Sequence, residues 1–301
     1  MRRGTKIFVF LQSTLRRQSE ELTVGAHPLK MSKLLIEAGR AEKHYWIDLW
    51  RFRELFFILA WRDIAVRYKQ TVVGVAWALM RPLLAMIVFS VVFGRIAKLP
   101  SDGVPYPLFV FAGMLPWQFF ANALSEASGS LVENERLITK VYFPRMVVPA
   151  SSVIVSLIDF LISFVLLAGL FMWYQWMPTW RLLMLPLFVG VAFLAALGPG
   201  LLITALNVEY RDFRYVIPFI VQFGLYVSPV GFSSGIVPEQ WRMLYSMNPM
   251  VGVIDGFRWA ICGTSSIYWP GFAVSMVLVV AFLALGVSYF RRMEKTFADV
   301  I

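Results

Sequence analysis

Few side chains in this 301-residue chain are of types that do covalent chemistry, and their spacing argues against it. His27 and His44 both precede the first long apolar stretch, so no histidine stands downstream to act as a base beside a serine or cysteine. Cys262 is the single cysteine, which excludes an internal disulfide and any multi-cysteine metal site. No Gly-x-x-x-x-Gly-Lys-Ser/Thr loop is present to cradle nucleotide phosphates. Gly198-Pro199-Gly200 sits inside a hydrophobic run and reads as a helix kink or close-packing point. The carboxylates are scattered through the loops, without the pair that would hold a nucleotide-sugar metal. We therefore expect no catalytic residue, no metal site and no enzyme.

Two polar features remain to be explained. Asp159, in Ser156-Leu157-Ile158-Asp159-Phe160, lies in the middle of a strongly apolar stretch. A carboxylate there costs a few kcal/mol to insert, which makes it functional or paired. One isolated acid makes no proton pathway, so a hydrogen bond to a serine or threonine on a neighbouring helix is favoured, with the acid protonated as one option. The second feature is Asn134-Glu135-Arg136-Leu137-Ile138-Thr139-Lys140-Val141-Tyr142-Phe143-Pro144-Arg145, a charged, amphipathic interruption between two hydrophobic spans. A simple turn needs fewer polar residues. A short helix over 134–145 with a defined face would suit a protein driven by a partner, and a solvated loop whose charges hold topology is the plainer alternative.

Stepping outward, the elements that position these residues belong to a bilayer. Hydrophobic residues make up 59% of the chain and charged ones 15%, and the mean hydropathy is +0.68. Six segments, 76–96, 108–126, 147–173, 182–206, 213–230 and 271–290, are apolar enough to be read as crossing a ~30 Å hydrocarbon core. The first is expected to break at Arg81-Pro82, with 74–80 near the interface. Six crossings put both termini on one side. That side then carries twenty-three of the twenty-eight Lys and Arg residues, and only Arg95, Lys98, Arg181, Arg242 and Arg258 fall on the other. The positive-inside rule makes the basic side cytoplasmic. The formal charge of +10 thus belongs to topology and anionic lipid, and nucleic acid is not expected as a partner. Residues 7–11 are too short for the apolar core of a signal peptide, and a more regular segment begins at Met31.

Between Trp46 and Lys69 the pattern is amphipathic. Trp46, Leu49, Trp50, Arg53, Phe56, Phe57, Ala60, Trp61 and Ile64 recur at helical spacing, which favours a helix lying in the membrane interface over one packed on a soluble element. In the 231–270 loop, the apolar run from Val251 to Cys262 is too short to cross and carries Asp255 and Arg258, as a re-entrant or interfacial helix would. Glu126, at a span end, reads as an interface residue. Many aromatics sit at span ends, as an aromatic belt requires. Trp117 is one of these, whereas Phe89, Phe93, Phe223 and Tyr226 fall deeper. Facing a pore, they would stack on sugar C–H surfaces; facing lipid or core, they would do nothing specific.

In order along the chain stand Trp61-Arg62-Asp63-Ile64-Ala65-Val66-Arg67-Tyr68-Lys69-Gln70-Thr71, Gly74-Val75-Ala76-Trp77-Ala78-Leu79-Met80-Arg81-Pro82, Ile138-Thr139-Lys140-Val141-Tyr142-Phe143-Pro144-Arg145, Asn207-Val208-Glu209-Tyr210-Arg211-Asp212 and Asn248-Pro249-Met250. This series resembles the permease subunit of bacterial type 2 ABC exporters, in the branch that exports O-antigen, capsule and teichoic acid polymers. The resemblance covers about residues 34–296. It implies an all-α integral membrane protein of the bacterial inner membrane, with six transmembrane helices, an N-terminal amphipathic interface helix and external re-entrant helices.

Its domains would be a polar tail over 1–33, an interface-helix region over 34–73, a permease domain over 74–296 and a tail over 297–301. The resemblance further implies a homodimer with a lipid-linked glycan moving between its halves. Two copies of a cytoplasmic ATPase would bind ATP and Mg, with no cofactor in this chain. By the same token 134–145 would be a coupling helix docking on the ATPase through Asn134, Glu135, Arg136, Lys140, Tyr142, Phe143 and Arg145. Trp61, Arg62, Arg67, Tyr68, Lys69 and Arg81 would belong to the interface and gate helices, and 236–262 would cap the channel. Phe89, Phe93, Trp117, Phe223 and Tyr226 would be candidates to line it. A same-fold exporter of a small molecule or drug, or a membrane enzyme of glycan assembly, stands as the alternative.

Overall fold

The computed structural model describes residues 41–69, 72–263 and 267–297, with side chains described for 45–68, 79–263 and 267–297. The expected tail over 1–33, Met31, Gln70, Thr71 and residues 298–301 lie outside these, as do the side chains of Lys69 and of 72–78. Among the described residues every regular element is a helix. The order is α1 (Ala41–Arg51), α2 (Arg53–Lys69), α3 (Val72–Phe89) with a π-helical extension (Ser90–Ile96), α4 (Tyr106–Glu133), α5 (Glu135–Lys140) and α6 (Val147–Trp173). A 3-10 turn (Trp180–Met184) leads into α7 (Leu185–Glu209). Then follow α8 (Phe213–Val227), a second 3-10 turn (Ser234–Ile236), α9 (Glu239–Tyr245), α10 (Pro249–Cys262) and α11 (Trp269–Met293).

Five stretches are long and apolar enough to cross a bilayer: Leu79–Ile96, Tyr106–Glu133, Val147–Trp173, Trp180–Glu209 and Trp269–Met293. The expected sixth, 213–230, is helical only over the 15 residues of α8. At 1.5 Å per residue that is about 22 Å, short of the ~30 Å core. The break expected at Arg81-Pro82 does not occur, because Pro82 lies inside α3. A proline removes one intrahelical donor and crowds the preceding turn, and an otherwise apolar helix packed on a neighbour absorbs that loss. The 46–69 helix is two helices joined at Phe52. The Phe52 N–H still donates to Asp48 O at 2.9 Å and Phe56 N–H to Phe52 O at 3.1 Å, so the rod is nearly continuous.

Within the compact unit Trp46–Ile301, α4 is the hub. In its most apolar window 83% of the residues are buried, against 11% in Leu79–Ile96 and 22% in α11. Helices α3, α6, α7 and α10 pack around α4, α11 lies on α7 and α10, and α2 lies along α6. With lipid as solvent there is little hydrophobic drive between helices, so small residues and polar contacts must hold them. Gly198 on α7 faces the backbone of Leu283 on α11, where a Cβ would come within 2.8 Å of main-chain atoms. On the other side of the crossing, a Cβ at Gly286 would run into the Gly198 carbonyl. Thr204 Oγ1 donates to Ala127 O and Asn207 Nδ2 to Ser128 O, both at 2.8 Å, stitching α7 to α4.

The Asn248-Pro249-Met250 motif starts α10. Asn248 is the N-cap, its Oδ1 accepting from the Met250 N–H at 3.0 Å, and Pro249 takes the first helical position where its missing N–H costs nothing. Gly263, with φ +74°, ends the helix in the left-handed conformation.

Candidate functional site

Four groups of side chains stand out, two of them near the Glu133 end of α4. The first is the polar interruption. Its helix covers only Glu135–Lys140; Val141 is extended, and Pro144 two residues after Tyr142 disfavours the helical region for Phe143. The expected helix over 134–145 is therefore one and a half turns followed by an irregular strap. Glu135, Arg136, Lys140 and Tyr142 are exposed, with Val141 beside them. Phe143 is buried at 4% exposure, together with Ile138, so it anchors the strap and leaves the expected docking face. Arg145 is also engaged: its N–H donates to Glu294 Oε1 at 2.6 Å and its Nη1 to the Glu294 carbonyl, tying the strap to the chain just beyond α11. Asn134 is half-buried; its Oδ1 accepts from Arg62 Nη2 at 2.9 Å and its Nδ2 donates to Ser130 O at 2.8 Å. The interruption is thus bound to α2 on one side and to the C-terminal end on the other.

The second group explains Asp159. Arg67, on α2, donates from Nη1 to Asp159 Oδ2 at 2.8 Å and from Nη2 to Glu126 Oε1, bridging α6 and α4. Tyr68 donates its hydroxyl to the other Asp159 oxygen. Asp159 pairs with a cation and a phenol from the amphipathic helix, so the expected serine or threonine partner is replaced. Glu126 is likewise an ion-pair partner rather than a free interface residue. Burial works against the Arg67 charge, but Glu126 and Asp159 outweigh it and hold the guanidinium above its ordinary value. Burial, and then the bond to Asp159, raise the Tyr68 hydroxyl above its ordinary value. Arg81, Gln118 and Asn122 line a cavity of about 240 Å³ beside this cluster. On the outer side of α1 and α2, Trp46, Trp50, Phe57 and Trp61 are exposed, the face an interfacial helix would give to lipid.

The third group lies at the opposite end, where sequence reasoning assigned no site. Arg258 is 1% exposed, and its three nitrogens each donate to a main-chain carbonyl: Nε to Phe109 O at 3.3 Å, Nη1 to Phe232 O at 2.8 Å and Nη2 to Val230 O at 2.8 Å. It clamps the irregular 228–233 segment onto α4. Asp102 Oδ2 accepts from Ser233 at 3.1 Å, and Asp255 Oδ2 from Ser234 at 2.7 Å, adding two more ties to the same segment. Burial pushes the Asp255 carboxyl up to about 6, with the Ser234 hydroxyl and Arg258 pulling the other way and Asp102 reinforcing the rise. The signal that could have flagged Arg258 was a charge in a short apolar helix.

The fourth group is aromatic. Phe223 and Tyr226 are exposed on α8, and Phe223 stacks on Phe219 with ring centroids 5.9 Å apart. Phe89 and Phe93 are half-buried, 5.4 Å apart, and pack over Gly231. Trp117 is 5% exposed, wedged against Gly224 and Phe120, so it belongs to the core and not to an open surface of this chain. No group of three or more His, Cys, Asp or Glu residues that could hold a metal ion occurs among the described residues.

The helical order, the capped Asn248-Pro249 start of α10 and the strap after α4 fall inside the stretch, residues 54–262, that matches the ABC-2 type transporter family. The chain belongs to that family. Its ABC-2 relatives include an O-antigen export system permease protein of Myxococcus xanthus, 28% identical over 70% of this chain and 81% of that protein. One of the same name from Klebsiella pneumoniae is 26% identical over 82% of this chain and 95% of its own length. A polysialic acid transport protein of Escherichia coli is 21% identical over 78% and 91%. As an ABC-2 permease with several apolar helices, the chain is a multi-pass membrane protein, and the family subunit is a transport component and not a catalytic one.

Proposed function

We propose that this chain is the permease subunit of an ATP-driven exporter that moves a lipid-linked polysaccharide across the inner membrane. The observation that carries the reading is that relatives named for O-antigen and polysialic acid transport align along most of both chains. In this reading α8 and the residues that follow it complete a sixth crossing, both termini are cytoplasmic, and α9 and α10 are external re-entrant helices. Two copies pair to enclose the path. The outward Phe219, Phe223 and Tyr226 of α8 support this, because a polymer path needs ring faces that grip sugar C–H surfaces without fixing register.

ATP and Mg are bound by a separate ATPase subunit docked on each copy. Glu135, Arg136, Lys140 and Tyr142 form the docking face, the exposed part of the strap. ATPase closure pushes α5; Asn134 passes the displacement to Arg62 on α2, and Arg67 carries it into α4 and α6. Deleting the gene should strip the surface glycan and leave its lipid-linked form inside the cell. Complementation by the wild-type gene restores export, and complementation by Arg136→Glu/Lys140→Glu does not. Unchanged surface glycan in the deletion strain would refute the reading.

A further inference from the structure

The ties around Arg258 frame a cavity of about 380 Å³ between the Asp102 loop, the 228–237 segment, α9, α10 and the start of α11. That is within the usual size for a small-molecule site. Its walls carry hydrogen-bonding capacity that the described residues do not use. The Tyr245 hydroxyl is buried and has no partner among the described residues. Asp255 has one oxygen engaged, by Ser234, and the other free of protein donors among the described residues. Each Arg258 Nη makes one bond and retains a second N–H. A buried polar atom left unsatisfied costs about 1–3 kcal/mol, so the Tyr245 hydroxyl, set beside the spare capacity of Asp255 and Arg258 in one cavity, needs an explanation.

The chemistry selects a ligand class. Two carboxylates, Asp102 and Asp255, face two guanidiniums, Arg242 and Arg258, so the wall has no excess charge to attract a strongly ionic molecule. An apolar ligand would strand the Tyr245 hydroxyl and the Asp255 oxygen. A neutral molecule with several hydroxyls satisfies both kinds of group, donating to Asp255 and accepting from Arg258 and Tyr245. Tyr268 and Phe272 add aromatic surface for its C–H face. We propose that this cavity holds one neutral sugar unit, a subsite for the transported glycan at the external end of the permease. The assignment rests on the export reading above and names a contact within it.

The decisive variant is Tyr245→Phe. It removes a hydroxyl that has no partner among the described residues, so a purely structural residue would lose nothing on the change, and thermal stability should hold or rise. Saturation-transfer NMR on the full chain in detergent, with mannose, galactose, N-acetylglucosamine and glucuronate as probes, reads the site. At least one neutral sugar should show transfer, and Tyr245→Phe and Asp255→Asn should each weaken its binding about three- to tenfold, the loss of one hydrogen bond. No transfer from any neutral sugar, equal transfer to Tyr245→Phe, or preference for glucuronate would overturn the proposal. The deletion-strain glycan assay separates the two readings: glycan lost from the surface with no sugar bound at the cavity leaves export standing and removes the subsite.

Discussion

The Arg67 bridge makes a quantitative claim about how the amphipathic helix is fastened to the spans. Arg67 is 33% exposed, Asp159 18% and Glu126 40%, so the two pairs lie between a surface bridge, worth up to about 1 kcal/mol, and a fully buried one, whose breakage costs about 3–5 kcal/mol. Weighting the better-buried Asp159 pair, Arg67→Met should destabilise by roughly 2 kcal/mol. The single Asp159→Asn keeps an acceptor for Tyr68 and should cost less. The two changes share one contact, so they should not add: the coupling energy should be roughly 1–2 kcal/mol. The assay is thermal unfolding of the four proteins of the cycle in one detergent, where 2 kcal/mol corresponds to a shift of about 3–5 °C for a chain of 301 residues. Strict additivity of the two midpoint shifts would show that Arg67 and Asp159 do not hold each other, and the transmission route through α2 would go with it.

Other expectations follow from single contacts. Gly286→Ala drives a methyl into the Gly198 carbonyl and should destabilise by more than about 3 kcal/mol, whereas Gly169→Ala, with open space around it, should be neutral or gain up to about 1 kcal/mol in helix propensity; detergent-solubilised melting curves compare them. Arg136→Glu/Lys140→Glu should abolish co-purification of the ATPase subunit at unchanged melting temperature, and retained complex would remove the docking face. Asp255 has its folded-state carboxyl raised from 3.8 to about 6, so the folded state binds the extra proton between those values. Stability should fall as pH rises through that window and level off above it, and Asp255→Asn should flatten the slope in melts taken from pH 4 to pH 7.

Much of the architecture was legible because the bilayer imposes long apolar helices. The spans at 147–173 and 271–290 match α6 and α11 closely, since a helix satisfies all of its backbone hydrogen bonds within one apolar segment. The exposed tryptophan face of the amphipathic segment was equally readable from helical spacing. Where the reading missed, a local rule met a tertiary fact. Pro82 signals a break, but packing on α4 keeps α3 whole. Phe143 follows the exposed Val141 and Tyr142 in sequence yet turns inward, buried with Pro144 and Met146.

Composition, hydropathy and motif order determined by themselves that this is a helical membrane permease. Those properties are sums over residues or local periods, and the chain carries them whatever its final packing. The partners of its few buried charges were decided only by the tertiary structure. Asp159 finds Arg67 ninety-two positions away and Arg258 finds the carbonyl of Phe109, because a hydrogen bond depends on atoms meeting within about 3 Å. Nothing in the local sequence of either residue records which distant atom that will be.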